Sequence, residues 1–129
     1  MAQFGIAESS TAATTSELRA DETGYDAPRS CAPMLDWQSS RHLEDHFADH
    51  GRDVGARTIE EYDASARATL ARSDIIFSYD DPTTGLRRVG CYDRETRLFT
   101  VLSDDDRWII SHFATDDGYI RRLMRDRHR

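Results

Sequence analysis

SDIIFSYDDPTTGLRRVGCYDRETRLFTVLSDDDRWIISHF, Ser73 to Phe113, contains four short runs rich in β-branched and aromatic residues: Ile75 to Tyr79, Leu86 to Tyr92, Leu98 to Leu102 and Trp108 to Phe113. Such side chains fit a pleated, half-buried surface, so each run reads as a strand. The connections DDPTTG, DRET and SDDD are short and turn-like, which makes an antiparallel meander the simplest topology.

Upstream of the strands the period changes. Leu43, Phe47, His50 and Val54 recur at helical spacing from Ser40 onward, and Gly51 and Gly55 mark an exit. Thr58-Ile-Glu-Glu61 has capping-box spacing, and Ile59, Tyr62, Ala66 and Leu70 form the inner stripe of a second helix ending near Arg72. Downstream, GYIRRLMRDRHR closes the chain as a basic turn or helix. The expected class is therefore α+β: two N-terminal helices, a four-stranded antiparallel sheet and a short basic C-terminal helix or tail.

Met1 to about Asp36 is rich in Ala, Ser, Thr and acids, has no sustained period and contains Pro28 and Pro33. It reads as a disordered leader or linker over residues 1–38, with the folded domain at 39–129. This segment holds two arginines against six acids, a net of −4, so the total of −7 leaves −3 for the remainder.

A chain of 129 residues, a third of them charged, supports one modest core. Its acidity, with pI near 5.1, argues against coating nucleic acid by overall charge, so any RNA contact needs a local basic patch. Every basic side chain of the Lys/Arg type is arginine. Cys31 and Cys91 lie sixty positions apart without metal-ligand spacing and read as free thiols. No apolar run approaches a membrane span, and MAQFGIAESSTAATT lacks a basic start and an apolar h-region, so neither a membrane partner nor a self-encoded export signal is expected.

His42, His46 and His50 are spaced by four and stack along one helix. A pair of this kind can ligate zinc, but no third ligand is recognisable and the HExxH glutamate is missing, so no metal is assigned. His50 also falls on the apolar stripe, where an enclosed, hydrogen-bonded core histidine competes with a functional one. In the last strand, strict alternation places Ser111 with Ile109 and Phe113, and His112 on the opposite face with Trp108 and Ile110. No GxSxG elbow precedes Ser111. Arginines gather at Arg87, Arg88, Arg94 and Arg97, and more densely at Arg121, Arg122, Arg125, Arg127 and Arg129, which suits phosphate contact by guanidinium forks or a solvated terminal helix.

The segment His46-Phe-Ala-Asp-His50-Gly-Arg-Asp-Val-Gly55 resembles the first helix of the colicin D-like nuclease domains found in contact-dependent and polymorphic toxins. Tyr92-Asp93-Arg94-Glu95-Thr96-Arg97-Leu98-Phe99-Thr100-Val101 is similar to that family's central hairpin, and Ile109-Ile110-Ser111-His112-Phe113 to its strand carrying a serine and, two residues on, an aromatic. The helix departs from the family in lacking lysine; its cations are Arg41 and Arg52.

The resemblance spans roughly Arg41 to Leu123 and implies membership of the superfamily of barnase-, EndoU-, colicin- and RelE-like ribonucleases. It implies His50 as catalytic histidine with His46 as partner, Ser111 as active-site serine and Phe113 as the aromatic, substrate-binding position; from the basic patches, Arg88 and the tail arginines Arg121 and Arg122 are expected to bind the substrate beside them. The reaction implied is attack of a ribose 2′-hydroxyl on the adjacent phosphorus, without metal or cofactor, giving a 2′,3′-cyclic phosphate.

Further implications are tRNA as substrate, a cognate immunity or antitoxin protein as partner, and a cytoplasmic site of action. The chain would act either as the tip of a larger secreted toxin or as an independent small protein. The alternative from a different class is a non-catalytic RNA- or protein-binding module of the same fold. Catalysis requires His50 and Ser111 to face one open cleft with an arginine, whereas the binding module leaves His50 enclosed and hydrogen-bonded.

Overall fold

A computed structural model describes residues 35–126. The elements run β1 (Asp36–Trp37), α1 (Ser40–His50), α2 (Ile59–Arg72), β2 (Ile75–Asp80), β3 (Arg87–Asp93), β4 (Leu98–Ser103), β5 (Trp108–Ala114) and α3 (Asp117–Asp126). The class is α+β, and the four strands of the sequence reading form the antiparallel meander β2-β3-β4-β5.

Among the described residues the sheet nevertheless has five strands, in order β1-β5-β4-β3-β2, and is mixed. Asp36 and Trp37, placed in the leader by composition, pair parallel with Trp108 and Ile109. The reason is Trp37. Its indole is buried, donates from Nε1 to Asp63 Oδ1 at 2.9 Å and stacks on Tyr62 at 5.7 Å. Arg67 fixes the same segment, donating to the Leu35 carbonyl and pairing with Asp36 and Asp63. The folded body therefore includes Leu35 to Gln38; the rest of the leader reading, residues 1–34, lies outside the described residues.

Local chemistry explains where the helices start. Ser39 accepts from the His42 N–H at 3.0 Å, and Thr58 accepts from the Glu61 N–H at 3.1 Å. Glu61 reaches back one residue beyond the Thr58 cap, accepting from the Arg57 N–H at 2.7 Å, so its carboxylate closes the helix start on the residue before the cap and not on the Thr58 N–H of the capping box that the spacing predicts.

Two apolar clusters occupy the two faces of the sheet. On one face Tyr62, Ala66 and Leu70 of α2 cover Ile76, Val89, Cys91, Leu102 and Ile109, with Leu43 and Phe47 of α1 at the margin. On the other, Ile120, Leu123 and Met124 of α3 cover Ile75, Phe77, Tyr92 and Phe99. The closing segment is thus a packed helix over Asp117–Asp126. At Gly90 an added Cβ would meet the Phe99 ring at 2.6 Å, so that ring lies directly on the backbone of β3.

The register between β4 and β5 shifts between Val101 and Leu102: Val101 pairs Ser111, whereas Leu102 pairs Ile109. This bulge corrects the alternation expected from sequence. Ser111 shares its face with Ile110, Phe113 and Trp108, on the α3 side, while His112 lies with Ile109 on the α2 side. Ser111 and His112 still point to opposite faces, as expected.

Candidate active site

β1 covers β5 only as far as Ile109, so the outer edge of β5 continues beyond it. Among the described residues, side chains and not a strand serve this edge. His42 Nε2 lies 2.6 Å from the Ile110 carbonyl, and the Tyr62 hydroxyl donates to the His112 carbonyl. Because a carbonyl only accepts, His42 carries its proton on Nε2. The helix α1 is thereby held along the edge, although none of its residues is fully buried.

This placement turns the histidine stripe toward β5. His42 and His46 rings lie 4.5 Å apart, His46 and His50 5.9 Å apart, and Trp37 flanks His42 and His46 at 6.1 and 6.0 Å. His46 Nδ1 is 3.2 Å from Ser111 Oγ, and the His50 ring is 5.5 Å from that of Phe113. Four residues singled out from sequence, His46, His50, Ser111 and Phe113, therefore meet across more than sixty positions of chain.

Electrostatics separates the two histidines. Partial burial, then the neighbouring His42 and His50, pull His46 down to about 4, against the raising influence of Asp49 and Asp45. His46 is neutral at pH 7 and able to accept a proton. His50 is more open: its side chain is 31% exposed and Nδ1 stands 3.9 Å from Asp53 Oδ2, so it is not an enclosed core histidine.

His112 is the enclosed one, with no exposed surface. Thr100 Oγ1 donates to the Ala66 carbonyl at 3.0 Å and so accepts from His112 Nδ1 at 2.9 Å; Nδ1 also faces the Phe99 carbonyl at 3.1 Å. Nε2 then accepts from Ser65 Oγ at 2.8 Å. Burial pulls this imidazole down to about 4, with the Phe99 carbonyl opposing and His50 adding to the shift. It is a satisfied structural group joining α2 to the sheet.

The arginines are less closely gathered. Arg88 lies on the Ser111 face but on β3, two strands away, across from Ser103. Arg122 lies 5.6 Å above the Tyr119 ring, and Tyr119 meets Phe113 edge-on at 6.1 Å, so a chain of rings connects it to His50. Arg121 is half-buried on α3; Arg127 and Arg129 lie outside the described residues. Among the described residues no group of three or more potential ligands converges on one point, and no helix is long and apolar enough to cross a membrane.

Sequence reasoning missed the roles of His42, Tyr62 and Trp37. Tyr62 carried a visible signal, a polar-tipped aromatic on an otherwise apolar stripe, but its partner is a backbone carbonyl fifty residues away. No family model, curated protein or solved structure matches the chain.

Proposed function

We propose that the edge of β5 is the active site of an RNA-cleaving domain of the colicin D-like kind, acting on cytoplasmic RNA with tRNA foremost. The observation that carries this reading is the convergence of His46, Ser111, His50 and Phe113 at one partly exposed sheet edge.

In the tautomer that gives every group a task, His46 Nδ1–H donates to Ser111 Oγ, and the serine hydroxyl donates to a non-bridging phosphoryl oxygen. The unprotonated Nε2 of His46 takes the proton of the ribose 2′-hydroxyl, whose oxygen attacks phosphorus in line. His50, with the Asp53 carboxylate nearby at 3.9 Å, returns a proton to the departing 5′-oxygen, and Phe113 stacks a neighbouring base. Arg88, Arg122 and Arg121 supply positive charge along the same face toward the flanking phosphates. The products are a 2′,3′-cyclic phosphate and a 5′-hydroxyl. A cognate immunity protein would act by covering this edge.

A second reading draws on α1, whose Glu44, Asp45 and Asp49 are exposed. An acidic helix suits a basic protein partner, with the histidines purely structural. The test is incubation of the protein with total tRNA in EDTA. Discrete cleavage that disappears in His46→Ala supports the ribonuclease; intact tRNA supports the binding module.

A further inference from the structure

Strict alternation would put residues 108 and 111 on opposite faces, but the β4-β5 bulge puts Trp108 and Ser111 on the same one, together with Phe113. Two half-buried aromatic rings therefore flank the Ser111 hydroxyl along a single strand. At about 3.3 Å per residue, Trp108 is about 10 Å from Ser111 on one side and Phe113 about 7 Å on the other. That is the scale of adjacent nucleotides in an extended strand.

Beside Trp108 opens a recess of about 420 Å³, bounded by Leu86, Arg87, Arg88, Ser103 and the Asp104-Asp105 turn. Leu86 is 53% exposed and is the large hydrophobic left uncovered among the described residues. The Arg107 guanidinium lies over the Trp108 ring at 5.3 Å. Arg87 is engaged with Asp80 at 2.9 Å, and Asp105 is turned into its own turn, accepting from Ser103 Oγ at 2.6 Å. Arg88 differs: its Nε is buried without a hydrogen-bond partner among the described residues. An uncovered apolar surface, an indole and an underused guanidinium call for a ligand with a flat apolar face and a nearby negative charge. An unpaired nucleobase with its phosphate has both, and only a single strand offers the face of the base.

We propose that this recess is a nucleobase subsite for single-stranded RNA: a base stacks on Trp108 against Leu86, and Arg88 holds the phosphate beside it. The inference rests on the ribonuclease reading of the His46-Ser111 edge and assigns Trp108 as a positioning and specificity residue, opposite Phe113 across the scissile phosphate.

The test uses a mixed-sequence single-stranded RNA whose riboses are all 2′-O-methylated, so that the attacking hydroxyl is blocked and binding is read without cleavage. Affinity is measured for the full chain and for Trp108→Leu, which keeps apolar bulk but cannot stack, and Trp108→Tyr, which can. Cleavage of unmodified RNA is assayed in parallel.

Trp108→Leu should weaken binding about ten-fold or more, Trp108→Tyr should stay near wild type, and Arg88→Gln should weaken binding and flatten its salt dependence. Unchanged affinity in Trp108→Leu, or no binding by the wild-type chain, overturns the subsite. Trp108-dependent binding without cleavage of unmodified RNA upholds the subsite and overturns the ribonuclease reading alone.

Discussion

Ser111 Oγ lies 3.2 Å from Nδ1 of His46, joining the fifth strand to the first helix at the open edge of the sheet. Ser111 is half-buried, and its hydroxyl meets a ring nitrogen of a histidine that is itself half-buried. On the proposed mechanism, Ser111→Ala removes one hydrogen bond to the phosphoryl group. The single-turnover rate should fall about 10²-fold or more while the melting temperature barely moves. A rate within error of wild type would remove Ser111 from the site.

His112→Ala should do the reverse. The substitution opens a cavity under α2 and leaves Ser65 without its acceptor, at a cost of about 2 to 4 kcal/mol. Thermal or urea unfolding measures the loss. Turnover of the folded variant should change far less than in Ser111→Ala, because His112 faces away from the phosphate position.

Acid should destabilise the fold through two imidazoles. His46 and His112 both titrate near 4 in the folded chain against an ordinary value of 6.5. Between those values the unfolded chain binds more protons, so stability falls as pH is lowered from about 6.5 to about 4 and is insensitive to these groups above that window. The enclosed His112 contributes on the order of 3 kcal/mol, and the partly solvated His46 less. Urea midpoints across pH 4 to 7 should lose much of this slope in His112→Asn; an unchanged slope would contradict the assignment.

Much of this architecture was legible beforehand because it is encoded locally. The Thr58 cap, the Tyr62-Ala66-Leu70 stripe and the β-rich runs are short-range signals, and they locate α2 and four strands to within a residue or two. What escaped was long-range. Asp36–Trp37 is two residues long and pairs with a strand 72 positions later, Asp36 with Trp108 and Trp37 with Ile109, so no period announces it. The β4-β5 bulge inserts a residue without a glycine to mark it, which moved Trp108 and Ile110 to the Ser111 face. Within the site, helical spacing brought out all three histidines, but the role of His42 depends on a strand-edge carbonyl visible only once the sheet is assembled.

Trp37→Ala tests the extended boundary of the folded body. Its ring stacks on Tyr62 and flanks His42 and His46, so its loss should cost about 3 to 5 kcal/mol and loosen α1 from the sheet edge. Amide exchange should increase in α1 before it does so in β2 to β4. Stability equal to wild type would return residues 35–38 to the leader.

The chemistry at the His46-Ser111 edge is tested most directly by the ends it leaves on RNA. The wild-type chain, incubated with tRNA in EDTA, should yield 2′,3′-cyclic phosphate and 5′-hydroxyl ends, and a single 2′-deoxy substitution at the cut position should abolish that cut. Cleavage that persists at the deoxy position, leaves 3′-hydroxyl ends, or is absent altogether would contradict the account.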